Sequence, residues 1–185
     1  MLLHMLIKST LKLSLVLIAD HILSLVLAFF VTAALAATGI VNNETSRIVI
    51  VLVAVFTGIM HCILIYASAA REGERDHNRT QYKHMKEFKL KGTVAACIAL
   101  IPVLFFYFCI IIKNNIMSQN DFLFMFKMVC WQYNGFILAL SEIAYPLTGL
   151  VLFIPVTAVT LGYLAGYHDI RLLDKIVYVK DKRDK

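Results

Sequence analysis

Hydrophobic residues in this chain are collected into long runs that few charged residues interrupt. The runs cover 11–37, 48–70, 93–112 and 145–167. Each reaches roughly 20 residues, the length at which a helix crosses the hydrocarbon core of a bilayer. Because backbone groups in lipid must be hydrogen-bonded within their own segment, we expect each run to form an α-helix.

The pattern predicts an all-α polytopic membrane protein, with a single transmembrane domain over 1–185 built as an antiparallel bundle of four transmembrane helices. Pro102 lies inside the third run and Pro155 inside the fourth. A proline in a helix interior removes a backbone hydrogen bond, so we expect a kink at each position. The strands of alternating polarity that a membrane barrel needs do not occur in the sequence.

The stretch 122–142 is apolar but broken by polar residues. Its aromatic side chains are typical of a belt at a membrane surface, and they are Phe122, Phe124, Phe126, Trp131, Tyr133 and Phe136. We therefore expect an interfacial amphipathic or re-entrant segment before the last span. A fifth span over 122–140 is the alternative, but it would place Lys127 in lipid and move the tail to the other side.

The positions of the basic residues predict the orientation. Fifteen of the 18 Lys and Arg residues fall on one side if the N-terminus, the loop 71–91 and the tail 168–185 are cytoplasmic. These are Lys8, Lys12, Arg71, Arg75, Arg79, Lys83, Lys86, Lys89, Lys91, Arg171, Lys175, Lys180, Lys182, Arg183 and Lys185. Because basic residues accumulate in cytoplasmic loops, we expect a multi-pass protein of the cell membrane with both ends cytoplasmic.

The composition agrees with this interpretation and argues against a soluble domain and against a nucleic-acid-binding protein. The chain is 60% hydrophobic and only 16% charged, with a mean hydropathy of +0.77. Soluble domains average about 45–50% apolar and about 25% charged residues. The net charge of +6 is concentrated at the ends of the apolar runs, which favours contact with anionic lipid head groups over nucleic-acid binding.

Three polar residues inside the runs are the candidate functional site: Asp20 and His21 in the first run, and His61 in the second. Counted from the flanking basic residues, Asp20 and His61 both lie about 12–15 Å deep and can be level in an antiparallel helix pair. Such groups need a partner or a water-filled cavity. We expect Asp20 to pair with a histidine, either as a structural polar clasp or as a proton or cation relay.

The rest of the chain offers little chemistry. The cysteines Cys62, Cys97, Cys109 and Cys130 form no CxxC pair, and no catalytic, phosphate-binding or metal-binding motif is present. We therefore expect no enzyme, cofactor or metal. Ala34-Leu35-Ala36 resembles a signal-peptidase site, but the preceding apolar stretch is longer than the usual 7–15 residues or so, so a retained helix is preferred.

Small residues recur at helical spacing in two helices, a pattern that permits close helix approach. They are Ser14, Ser24, Ala28 and Thr32 in the first run, with Ala158, Gly162 and Gly166 in the last. The sequence thus predicts a non-enzymatic membrane subunit or adaptor that associates with other membrane proteins or with itself. The alternative is a small transporter or channel component that uses Asp20, His21 and His61.

Overall fold

The computed structural model describes residues 2–38, 46–82, 88–111, 124, 126–133, 136–137, 140, 143 and 145–170. Within these residues the chain is helical and contains no strand. The α-helices are α1 (Leu2–Ala37), α2 (Ser46–Gln81), α3 (Lys91–Ala99), α4 (Ile101–Ile111) and α5 (Phe153–Tyr167). Single 3₁₀ segments cover Trp131–Tyr133 and Tyr145–Leu152.

Three helices are long and apolar enough to cross a membrane: Leu6–Ala37, Val51–Gln81 and Leu147–Tyr167. The last of these joins the 3₁₀ segment to α5, so Pro155 stands in the first turn of α5 rather than in a helix interior. Proline is tolerated there because first-turn amide groups lack intrahelical partners in any case. The chain is therefore an all-helical protein with apolar helices of membrane-spanning length.

The third apolar run is divided, as the proline predicts. α3 ends at Ala99, Leu100 is a turn residue, and α4 begins at Ile101. The backbone still bonds across the break, since Leu104 donates its amide to Leu100 at 2.8 Å. Pro102 has no amide hydrogen to donate, so the carbonyl of Ile98 loses its usual partner at this point.

Two helices differ in length from their runs. α1 begins at Leu2, nine residues before the predicted start at 11, and α2 continues to Gln81, through part of the predicted loop 71–91.

The C-terminal cap of α5 lies just after Tyr167. Asp169 is in the left-handed region at φ 53°, and the amide of Ile170 donates to the carbonyl oxygen of Ala165 at 2.8 Å. That pair of features is a Schellman cap. The predicted cytoplasmic tail lies outside the described residues from position 171 onward.

The contacts give the helix directions. His21 of α1 lies against His61 of α2, and Leu13 lies in one cluster with Ile65 and Ala69, so α1 and α2 run antiparallel. α2 and α5 run parallel instead, because Gly162 faces Tyr66 and Gly166 faces Ala70. The short helix α3 lies between α1 and α5, and its Thr93 hydroxyl is 3.0 Å from that of Thr160.

Glycines make the contact between α2 and α5 unusually close. A Cβ atom built on Gly162 would lie 2.5 Å from the carbonyl oxygen of Tyr66. One built on Gly166 would overlap the carbonyl oxygen of Ala70, and one on Gly73 would overlap that of Tyr163. Close backbone approach is what small residues permit in membrane helices. The small-residue line of α5 is therefore used within this chain.

The interior consists of two hydrophobic clusters. The first, here the α5 core, joins α1, α2, α3 and α5 and contains Leu13, Leu17, Ile65, Ala69, Ala95, Ala96, Val159, Tyr163 and Tyr167. The second, here the α4 core, contains Leu100, Val103, Phe126, Cys130, Tyr133, Ile137, Val151 and Leu152. The α4 core depends on Phe126, Cys130, Tyr133 and Ile137, which pack against residues of α4 and of the second 3₁₀ segment.

Substitution of Gly166 tests the α2–α5 contact. Gly166→Ala should lower the unfolding free energy in detergent by about 1–3 kcal/mol, because the added methyl group forces the two backbones apart. Gly58→Ala is the matched control, since its Cβ would meet the Tyr133 ring at 3.2 Å and a backbone atom, the carbonyl oxygen of Gln132, only at 3.7 Å. Thermal unfolding of both variants should show the larger loss for Gly166→Ala; equal losses would contradict the packing described here.

Candidate functional site

The predicted polar residues His21 and His61 meet in the interior. Their ring centroids are 5.2 Å apart, in an edge-to-face arrangement. His61 is only 1% exposed and lies about 15 Å along α2 from both Val51 and Arg71, midway through the apolar stretch. The sequence predicted that Asp20 and His61 can be level in an antiparallel helix pair, whereas the side chains that the structure brings together are those of His21 and His61.

Each histidine is held by the segment that follows α4. His21 Nε2 donates to the carbonyl oxygen of Val129 at 3.0 Å, and its Nδ1 accepts from Gln132 Nε2 at 3.2 Å. Because a carbonyl oxygen can only accept, Nε2 must carry the proton, and the ring is the neutral tautomer with a free Nδ1 lone pair. His61 Nδ1 lies 2.6 Å from the Tyr133 hydroxyl.

The segment 126–133 is anchored by further hydrogen bonds to α1 and α2. The Thr57 hydroxyl donates to the carbonyl oxygen of Gln132 at 3.0 Å, and Trp131 Nε1 donates to the Thr32 hydroxyl at 3.1 Å. This corrects the prediction of an aromatic belt at the membrane surface, which is wrong for Phe126 and Tyr133. Those two side chains are 0% and 2% exposed, because they fill the α4 core.

Asp20 does not take the predicted place in the site. Its side chain is half-buried, and its Oδ2 atom is buried without a hydrogen-bond partner. Asp20 and His21 are adjacent on a helix, so their side chains diverge by about 100°. The partners of the histidines are instead Gln132 and Tyr133, which sequence reasoning assigned to an interfacial segment.

A small cavity adjoins the histidine pair on the side of the α5 core. It measures about 20 Å³, and Leu17, Ala99, Pro155 and Val159 are among the residues that line it together with His21 and His61. A cavity of this size has room for about one water molecule. Gln132 Oε1 is buried without a hydrogen-bond partner among the described residues, so the segment that holds His21 has an acceptor that its neighbours do not use.

A second polar cluster, here the Lys91 cluster, lies where α2 leaves its apolar stretch. Lys91 is 0% exposed, and its Nζ donates to Asp76 Oδ2 at 2.6 Å and to Glu72 Oε1 at 3.1 Å. The Tyr163 hydroxyl donates to the same Asp76 Oδ2 at 3.0 Å. The cluster therefore connects α2, the first residue of α3 and α5.

Two arginines complete the Lys91 cluster at its exposed edge. Arg79 Nη1 lies 3.4 Å from Asp76 Oδ1, and Arg75 Nη1 lies 3.4 Å from Glu72 Oε2. Their side chains are 49% and 62% exposed, so these outer pairs add little stability compared with the buried lysine. The buried carboxylates are nevertheless fully compensated in charge, which is the condition for keeping them inside a protein.

Sequence reasoning missed the Lys91 cluster because it treated 71–91 as a solvated loop. One indication was present in the sequence. Glu72 and Asp76 are four residues apart, so they lie on one face of the helix if the second helix continues through them. Lys91 stands two residues before the next apolar run, 93–112. Nothing in the sequence alone shows that these three residues meet, since the contact depends on how α3 packs.

The described residues contain no group of three or more His, Cys, Asp or Glu side chains that could hold a metal ion. No protein-family model matches this chain, and neither a curated protein nor a solved structure matches it. The fold and the two polar clusters are therefore the basis for a functional proposal.

Removal of the Lys91 amine should be strongly destabilising. Lys91→Met leaves Asp76 and Glu72 buried without their main counter-charge, and breaking a buried ion pair on one side costs about 3–5 kcal/mol. Lys8→Met removes the same charge from an exposed position of α1 and should leave stability unchanged. Thermal unfolding in detergent measures both; a Lys91→Met protein as stable as wild type would contradict the cluster.

Proposed function

We propose that the chain is a non-enzymatic integral membrane subunit or adaptor that acts through helix–helix association with other membrane proteins. The observation that supports this is an apolar hollow of about 360 Å³ on the side of α2, between α2 and α5, which we call the α2 groove. Its lining consists of Val55, Gly58, Ile59, Cys62, Ile63, Tyr66, Tyr133, Phe136, Ile154 and Ala158.

The α2 groove suits an apolar helix. Its floor includes Gly58 and Ala158, small residues of the kind that let a second helix approach closely in a membrane. Ile59 and Ile63 are 52% and 45% exposed along its edge. Gly162 and Gly166, which were predicted to serve association, are already used between α2 and α5, so the proposal rests on the α2 groove.

The topology that we propose has four spans, with both ends on the cytoplasmic side of the cell membrane. Its support is the parallel direction of α2 and α5: two parallel spans require the chain to cross back between them an odd number of times. The pair α3 and α4, about 20 residues long, is sufficient for one crossing of about 30 Å. A fifth span over 122–140 would make α5 antiparallel to α2.

We further propose that residues 126–133 form a re-entrant segment. Gln132 and Tyr133 bond to Thr57 and His61 near the middle of α2, whereas an interfacial segment would remain near the helix ends. Non-helical backbone at membrane depth is tolerated where it is buried in protein. In this arrangement the two histidines hold the re-entrant segment in place by hydrogen bonds. Because Tyr133, the partner of His61, also lines the α2 groove, the same bonds determine the shape of the groove.

A transporter or channel component using Asp20, His21 and His61 is the second candidate. The observation in its favour is the unused acceptor Gln132 Oε1, on the side chain that bonds to His21, together with Asp20 Oδ2, which also has no partner among the described residues. A doubly protonated His21 would donate from both ring nitrogens, and rotation of the Gln132 amide would then bring Oε1 to accept from Nδ1.

Site-specific crosslinking tests the adaptor proposal. A photoreactive amino acid at Ile63, on the edge of the α2 groove, should crosslink in cells to one membrane protein that mass spectrometry identifies. The same probe at Leu23 of α1, which is 58% exposed, is the control position. Ala158→Phe should fill the groove and remove the crosslink, whereas Leu161→Phe, on an exposed part of α5 outside the groove, should not.

Crosslinks only to lipid at Ile63, or an equal protein crosslink at Leu23, would contradict a partner in the α2 groove. A crosslink that survives Ala158→Phe would contradict it as well.

Proton flux into liposomes separates the two candidates. For an adaptor, the reconstituted wild-type chain should acidify the lumen no faster than empty liposomes under an imposed pH gradient. The double variant Asp20→Asn with His61→Ala should then change only the unfolding temperature, by removing the partner of Tyr133. A wild-type flux that this variant abolishes while remaining folded would establish the transport function instead.

A further inference from the structure

A pocket distinct from the α2 groove and from the histidine site opens between α1 and α2, beside the Lys91 cluster. We call it the basic pocket. It has a volume of about 160 Å³. Three cationic side chains line it, namely Lys12 of α1 and Arg71 and Arg75 of α2. The Ser68 hydroxyl and the apolar side chains of Leu13 and Val16 line the rest.

The positive charge of the basic pocket is not cancelled by its own carboxylate. Glu72 also lines the pocket, but it already accepts from Lys91 at 3.1 Å and pairs with Arg75 at 3.4 Å. Lys12 and Arg71 are exposed and make no ion pair with a carboxylate in the described part of the chain. The pocket is therefore an electropositive recess with at least two unpaired cations.

The position of the basic pocket along the helices matches the surface of a bilayer. Arg71 is the first charged residue after the apolar run 48–70, and Lys12 is the last one before the apolar part of α1 up to Asp20. Leu13 and Val16 continue the pocket towards the apolar side. A ligand here would have its anionic group among the cations and an apolar part directed along the helices into lipid.

We propose that the basic pocket binds the phosphate group of an anionic phospholipid. Lys12 and Arg71 contact the phosphate from two different helices, Arg75 adds a third positive charge, and the Ser68 hydroxyl donates to a phosphate oxygen. Basic pockets between helices at the membrane surface bind anionic head groups in this way. The proposal needs helices α1 and α2 to lie in a membrane, but it does not depend on the adaptor function.

Native mass spectrometry of the full chain in detergent tests the proposal. Dioleoyl phosphatidylglycerol and dioleoyl phosphatidylcholine, which share their acyl chains, are titrated separately. Phosphatidylglycerol should bind about 25-fold more tightly, since each of the two unpaired cations contributes about 1 kcal/mol, or about fivefold. Lys12→Gln should weaken the binding of phosphatidylglycerol about fivefold. The double variant Lys12→Gln with Arg71→Gln should bind phosphatidylglycerol and phosphatidylcholine equally.

Two further variants control for charge and for folding. Lys8→Gln removes an exposed cation from the same helix one turn away, outside the pocket, and should retain the preference. Lys12→Arg retains the charge and should also retain it. Equal binding of the two lipids would overturn the proposal, as would an equal effect of Lys8→Gln and Lys12→Gln. Binding of inorganic phosphate that displaces phosphatidylglycerol at equal concentration would overturn the assignment to a lipid.

Discussion

A polar side chain surrounded by hydrocarbon has no water to bond with, so its partner must come from the protein itself. Two of the buried polar sites that meet this requirement are built on side chains of α2. Midway along the helix, Thr57 and His61 bond to Gln132 and Tyr133 of the segment after α4. Where the helix leaves its apolar stretch, Asp76 binds Lys91 and Tyr163. The two sets of bonds hold the segment Trp131–Tyr133, the first residue of α3 and the Tyr163 side chain of α5 against α2.

The two polar sites support the two hydrophobic clusters. The histidine clasp holds Tyr133, and with it Phe126 and Ile137, inside the α4 core. The Lys91 cluster holds the start of α3 against α5, where Gly92 leaves room for the Tyr163 ring. Because the α2–α5 contact is made through glycine, the backbones there have little freedom to shift. A fold of this kind is better suited to presenting a rigid surface, the α2 groove, than to opening a path through its centre.

Much of the helical architecture could be predicted from the sequence. The runs 11–37, 48–70 and 145–167 correspond to helices of membrane-spanning length, because burial in lipid leaves the backbone no other choice. Depth along the helices predicted that the first two runs carry polar residues at one level, but it predicted a contact of Asp20 with a histidine rather than the contact between His21 and His61. The partners of the histidines could not be predicted, since Gln132 and Tyr133 lie in a stretch whose periodicity is broken and whose path depends on tertiary packing. The same limit applies to Lys91, whose burial is visible only when α3 is placed beside Asp76.

We propose that the histidine pair is a closed clasp, held by its own hydrogen bonds and separated from bulk water. Water-edited solid-state NMR of ¹⁵N-histidine-labelled protein in bilayers measures this directly, because magnetisation passes from water only to side chains that water reaches. We expect rapid magnetisation transfer from water to the exposed rings of His4 and His168, and no transfer at short mixing times to His21 and His61. Transfer to His21 and His61 as fast as to His168 would contradict this proposal.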